Sequence, residues 1–329
     1  MRDDIPGVRV PQQAMASVFY RESTATMATC MRSLQIVLVL LTASGLAGPA
    51  QAQAQDSGWR SFVSVSPVFE DADLDAGGNF SVGGAILRAG TSRGFGDGHR
   101  AGVTLNYDYF DYSFDNPVAF GGVAPWNIVQ RYGFSVPLSF VLRDGWSVGV
   151  TPSADWFREN GAKTSDALVW GATLSAVKRF ADGNLLGLGV AVFDRIEQTS
   201  VFPIPIVDWR FSSRWRLINP LAAGPTGPAG LELDYLFDSG WTLGVGATWR
   251  RTRFRLSQNG PVPDGIGEIS GVPVFLRAFR EFAGAYTLNL YAGVVVAGQM
   301  RVENARGNLL REDDLNLSPI VGANVTVRF

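Results

Sequence analysis

Downstream of residue 58, apolar side chains recur at every second position in runs of about ten residues, the period of an extended strand with one face against something oily. The final stretch shows it cleanly. Leu317, Pro319, Val321, Ala323, Val325, Val327 and Phe329 fall on one face, while Ser318, Gly322, Asn324, Thr326 and Arg328 fall on the other. Tyr286 to Val296 and Tyr132 to Leu142 repeat the pattern. Alternation alone does not say whether the greasy face looks inward, as in a water-soluble sandwich, or outward into lipid.

Connection lengths separate the two cases. Read back from Phe329, short turns (Glu281 to Ala283, Asp238 to Gly240, Ser212-Ser213, Ala181 to Asn184, Arg143 to Gly145) alternate with long polar loops (Arg301 to Leu315, Gln258 to Gly267, Leu221 to Ala229, Ser200 to Pro203, Glu159 to Asp166, Asp115 to Val129, Asp71 to Gly78). Residues 91 to 99 depart from the trend as a nine-residue connection on the short side. Short turns on one side and long loops on the other are the asymmetry of a closed up-and-down antiparallel transmembrane β-barrel. The count is fourteen strands, with twelve as the alternative because Phe202-Pro-Ile-Pro-Ile206 and Ser212-Ser213 admit two readings. Tryptophans after short turns (Trp146, Trp215, Trp241) and near far strand ends (Trp156, Trp170, Trp249) fit two interfacial girdles.

An apolar stretch from Ile36 to Gly48 follows Arg32 and precedes Pro49-Ala-Gln-Ala-Gln-Ala54, the three parts of a cleaved signal peptide. It is too short to span a bilayer, which takes about 20 residues. The domain reading is therefore 1–30 as a mis-assigned or disordered extension, 31–54 as the signal peptide, and 55–329 as the barrel. The single Cys30 lies ahead of the cleavage site, so neither disulfides nor thiolate metal ligands are expected in the mature chain.

The closing run Val325-Thr-Val327-Arg-Phe329 resembles the C-terminal signal of outer-membrane proteins, read by the barrel-assembly machinery. The expected location is thus the bacterial outer membrane, and the expected surroundings are outer-membrane lipid and lipopolysaccharide. From about Trp59 onward, the chain is similar to an uncharacterised family of bacterial outer-membrane barrels, a domain of unknown function. The residues that carry this are Phe202-Pro-Ile-Pro-Ile-Val-Asp-Trp209, Arg214-Trp-Arg-Leu-Ile-Asn-Pro220, Leu231-Glu-Leu-Asp-Tyr235 and Asp238-Ser-Gly-Trp241. That resemblance implies fold and location, and no activity.

Chemistry is sparse. Arginines supply nearly all the 28 basic residues, and they are scattered, so no nucleic-acid face is implied. His99 is the sole histidine and sits in a short-side turn, where it reads as a solvated turn residue rather than a catalytic base. Glu70-Asp-Ala-Asp73-Leu-Asp75-Ala-Gly77 misses the calcium-loop pattern at its glycine and at position twelve, Val82. No cofactor or metal is expected. Arg250, Arg251, Arg253 and Arg255 suit lipid phosphates at the outer end of strand eleven. With Trp215, Leu217, Leu231, Leu233 and Tyr235 facing lipid, the inward charges of strands eight to eleven are Asp208, Arg210, Arg214, Arg216, Glu232, Asp234 and Arg250. These either tune solute selectivity or lock a packed interior. The expected function is a structural or surface-binding outer-membrane barrel without catalysis. A porin-like channel for small solutes is the alternative, and a lipid-modifying enzyme comes third.

Overall fold

The computed structural model describes residues 58–220 and 229–329. The signal peptide, its cleavage site and the upstream extension lie outside the described residues. The protein is a closed antiparallel barrel of fourteen wall strands: β1 (Trp59–Asp73), β2 (Asn79–Phe95), β3 (His99–Asp115), β4 (Ile128–Ser135, resuming at Leu138–Val141), β5 (Trp146–Glu159), β6 (Leu168–Arg179), β7 (Leu185–Arg195), β8 (Gln198–Arg210), β9 (Trp215–Ile218), β10 (Ala229–Leu236), β11 (Trp241–Arg255), β12 (Ile266–Phe282), β13 (Tyr286–Glu303) and β14 (Leu309–Leu315, resuming at Ser318–Arg328). Each strand pairs with its sequence neighbours. β14 returns to β1, with Val327 opposite Val63 and Val325 opposite Val65. Phe329 completes that seam by exchanging both backbone hydrogen bonds with Ser61 at 2.9 and 3.2 Å. Closure leaves no open sheet edge along this seam, which lipid would penalise.

The greasy face looks outward. Leu105, Leu174, Leu188 and Leu276 are more than half exposed on the outer surface, while their strand neighbours turn Thr104, Thr173, Gly189 and Arg277 into the lumen. One edge of this band carries Trp146, Trp215, Trp241, Phe282 and Phe329, and the other Trp156, Trp170 and Trp249. The edge that holds Phe329 carries only short turns, the side that faces the periplasm in outer-membrane barrels.

Several expected boundaries move. The nine-residue connection at 91–99 shrinks to Gly96-Asp-Gly98, because β2 and β3 stay paired from Asn79–Asp115 to Phe95–His99. Two of its glycines hold φ of 53° and 95°, a region other residues seldom enter. On the far side, Ser200 to Pro203 is no loop. β7 and β8 turn at Ile196-Glu197, and Phe202-Pro-Ile-Pro-Ile206 runs within β8. The loop from Arg301 to Leu315 reduces to Asn304 to Asn308, because β13 and β14 continue as a hairpin above the band. Fourteen to eighteen residues in β2, β3, β5, β12 and β13 exceed the nine to eleven or so that cross a bilayer, so these strands project outward.

The projecting ends form a core of their own. Residues 116–127, expected as a solvated loop, fold inward and bury Phe120 and Trp126. Trp126 meets Phe254, Phe114 and Tyr112 edge-on at 5.2, 5.6 and 6.0 Å. Phe80, Leu256, Ile269, Met300 and Val302 complete a dry cluster. The plug's sequence is apolar at Val118, Ala119, Phe120, Val123 and Trp126, composition at odds with a solvated loop.

Candidate functional site: a pinched barrel over an open vestibule

β5 and β11 are separated by five strands around the wall, yet their outer ends meet across the lumen. Arg255 pairs with Arg158 by backbone, and Gln258 N donates to Gly161 O at 3.3 Å. Glu159, the last residue of β5, fastens the junction. Its Oε2 accepts from Ser257 N at 2.8 Å and its Oε1 from Asn127 N, at the end of the plug, at 3.0 Å. Burial raises this carboxyl above the ordinary 4.5, against the lowering effect of the two N–H donors. The barrel is thus pinched at its outer end, and one side of the pinch is filled by the plug core.

Beneath lies a polar layer of paired charge. Arg277 donates through Nη1 to Asn289 at 2.9 Å and through Nη2 to Asp234 at 3.2 Å, and its Nε meets Glu232. All four side chains are buried. Glu232 and Asp234 belong to β10 and Arg277 to β12, so these groups reach across β11, whose inward positions there are Gly244 and Gly246. A Cβ at Gly244 would stand 1.9 Å from Glu232 Oε1, so the missing side chain makes room for the ion pair. The same device recurs at Gly133, which lets Asn106 of β3 reach Asp155 of β5 at 3.3 Å. There Arg131 grips Asp155 twice at 3.1 Å, and Arg88 pairs with Asp108. Asn324 continues the layer to Ser64 and Ser66 at 2.6 and 2.8 Å.

The seven charges expected in the lumen take different places. Asp208 and Arg216 form a two-pronged pair at 2.6 Å, and the Arg216 guanidinium lines the lower lumen. Glu232 and Asp234 hold Arg277. Arg250 crosses to Glu70 at 2.7 Å, where Ser318 also donates. Arg210 is exposed at the periplasmic rim. Arg214 stands in the turn before β9 and bonds Tyr235 Oη and Asp238 at 3.2 and 2.9 Å. Arg277, Glu159 and Trp126 escaped the sequence reading. A glycine at the facing inward position of the intervening strand was the available signal for Arg277.

The remaining arginines of the outer row are also engaged. Arg253 bonds Glu268 at 3.1 Å and Glu303 at 2.6 and 2.9 Å, Arg255 bonds Glu197 at 3.0 Å, and Arg251 lies 2.9 Å from Glu268. His99 Nδ1 accepts from Val141 N at 3.0 Å with its ring between Phe95 and Phe140. In the acidic stretch, Glu70 faces inward while Asp71 and Asp73 face out, so the carboxylates do not converge.

Below the charged layer the lumen opens into a vestibule of about 1010 Å³. Arg60, Arg88, Arg216, Arg277 and Arg328 line it against one acid, Asp234, with Phe62, Ile218, Phe279 and Leu236 between them. Arg60 and Arg328 make no ion pair among the described residues.

No family model and no curated protein matches the chain. Among solved structures it is similar to an outer-membrane channel from Pseudomonas putida F1, of the group named COG4313, with 13% identity over 85% of this chain and 99% of the other and a TM-score of 0.45. It is also similar to a mutant of the monoaromatic hydrocarbon channel TodX, at 10% identity over 83% and 91% with a TM-score of 0.43. The translocator domain of the autotransporter NalP from Neisseria meningitidis gives 12% identity over 94% and 98%, with a TM-score of 0.36. Likeness at this level carries no solute or partner across to this chain.

Proposed function

We propose that the protein is an outer-membrane channel for small solutes, closed at its outer end in the conformation described. The observation that carries this reading is the division of the lumen. A barrel serving only as a rigid wall or a surface anchor gains nothing from an unfilled cavity large enough for a small organic molecule. Here the plug core fills one side of the pinched outer end, and the inner half is left open with Arg60 and Arg328, which make no ion pair among the described residues, at its mouth. An outer surface of apolar residues between aromatic edges supports the membrane location. The excess of arginine at the vestibule favours anions.

Conductance across a planar bilayer tests this. The wild type is expected to show rare, brief openings. The double variant Trp126→Ala, Glu159→Ala, which loosens plug and pinch together, is expected to open far more often, with anions preferred over cations. Arg60→Gln with Arg328→Gln is expected to weaken that preference. Absence of unitary steps from both the wild type and the loosened variant would overturn the reading in favour of a structural barrel.

A further inference from the structure

At the periplasmic edge, tryptophans meet cations in one repeated arrangement. Trp59, Trp146 and Trp241 are the first residues of β1, β5 and β11. Directly opposite each, near the foot of the following strand, stands a basic residue: Arg93 on β2, Lys178 on β6 and Arg280 on β12. Each cation lies over the ring it faces, at 5.5, 5.7 and 5.4 Å from the centroid, and Arg280 also lies 5.1 Å from the ring of Phe282.

All three pairs point away from the lumen. By the two-residue period, Trp59 shares its face with Val63, Lys178 with Leu174 and Arg280 with Leu276, each exposed on the outer surface. A cation at the lip of an oily surface is held by the negative face of the ring, while its other side stays open to the headgroup layer that interfacial tryptophans mark. None of the three cations makes an ion pair among the described residues, and Lys178 donates to the Asp144 carbonyl.

The opposite edge pairs its tryptophans differently. Trp156 faces Tyr132 and Leu168, Trp170 faces Ala154 and Asp194, and Trp249 faces Ala229. Arg158, which lies over Tyr132 at 6.0 Å, donates to Ala162 O at 3.1 Å. The arginine row at 250–255, expected to meet lipid phosphates at the outer end, is taken up by protein carboxylates instead. Position around the wall then decides the kind of partner. Stepping from β1 to β5, from β5 to β11 and from β11 round to β1, the pairs face three directions. A protein bound to one side of the barrel cannot engage them all, whereas a lipid leaflet surrounds them at one depth.

We propose that each pair is a binding site for the phosphodiester of an acidic phospholipid in the periplasmic leaflet, with the acyl chains lying along the exposed valine and leucine side chains of the same face. A guanidinium offers such a phosphate two parallel N–H donors, and an ammonium offers a point charge. A headgroup without an ammonium of its own is favoured, because the protein cation is then the sole counter-charge at the phosphate. The assignment depends on the outer surface lying in lipid and not on conduction through the lumen.

Native mass spectrometry of the protein released from a non-ionic detergent tests it, with phosphatidylglycerol, phosphatidylcholine and inorganic phosphate as probes. The wild type is expected to retain up to three phosphatidylglycerol molecules, several-fold more tightly than phosphatidylcholine, and inorganic phosphate is expected not to displace them. The combined variant Arg93→Gln, Lys178→Gln, Arg280→Gln should lose that preference. A control that removes the same charge from exposed arginines on the same side, Arg143→Gln, Arg210→Gln, Arg214→Gln, should keep it. Arg280→Gln alone should lower the maximum from three to two, and it carries the test if the combined variant fails to fold. Wild-type lipid retention in the combined variant, or in Arg280→Gln alone, would overturn the assignment. Equal loss in the control, equal retention of phosphatidylcholine, or displacement by inorganic phosphate would do the same.

Discussion

Arg277 shows how much a single side chain carries in this lumen. It is buried against Glu232, Asp234 and Asn289, so removing it strands two carboxylates rather than one bond. Losing one partner of a buried pair costs about 3–5 kcal/mol, more than the intact pair itself contributes over an apolar replacement. Arg277→Ala is therefore expected to lower the temperature at which the folded, faster-migrating form on an unboiled gel is lost, and to do so more than Arg214→Ala in the exposed periplasmic turn. Equal effects from the two would show that the buried layer is not the stabilising element. Arg210 stands exposed at the rim and Arg214 in the turn before β9 rather than on the inner wall, while charge on the strands at 208, 216, 232, 234 and 250 was legible from alternation. Its pairing was not, because Arg277 reaches its acids over the glycines of an intervening strand, a contact that spacing along one strand does not reveal.

At the scale of the element, β9 is described over Trp215–Ile218, and the Asn219 side chain that follows it bonds to both neighbouring strands. Asn219→Ala leaves the Val207 N–H and the Gly230 carbonyl without that side chain. An orphaned buried polar group costs about 1–3 kcal/mol, so the folded form should melt earlier on the gel while the protein still inserts. Asn219→Asp keeps the acceptor for Val207 N but loses both donors, so it should recover only part of the loss. An unchanged melting point in both variants would mean that the end of β9 is held by something else. Sequence reading placed strands eight and nine as the weak point of the count, and the physical reason is now plain. Prolines at 203 and 205 argue against a strand from sequence, and only the pairing of β8 with β7 along Gln198–Asp208 places them within the wall.

For the whole molecule, the decisive contact joins β5 and β11 across the lumen. Because the folded-state pKa of Glu159 is raised, the folded state holds more protons than the unfolded chain between 4.5 and that higher value. The contribution of Glu159 to stability is thus most favourable below 4.5 and declines as pH rises through the raised pKa. Relative to Glu159→Gln, which does not titrate, the wild type should gain stability as pH is lowered from 7 toward 5, read as the difference in gel-shift midpoint at each pH. A difference that stays constant or moves the other way would assign the pinch to other groups. Nothing in the alternation announced this contact, since Glu159 and Ser257 lie nearly a hundred residues apart and both sit at strand ends.

The sequence by itself determined the barrel: a two-residue period, short turns against longer connections, aromatic edges and a last strand that pairs with the first. Those are local properties, repeated fourteen times, and each strand declares its own oily face. How the described part of the lumen is filled was decided only in three dimensions. The plug, the pinch and the charge pairs laid over glycines all depend on which strands come opposite one another once the sheet has closed, and strand-by-strand periodicity does not encode those distances.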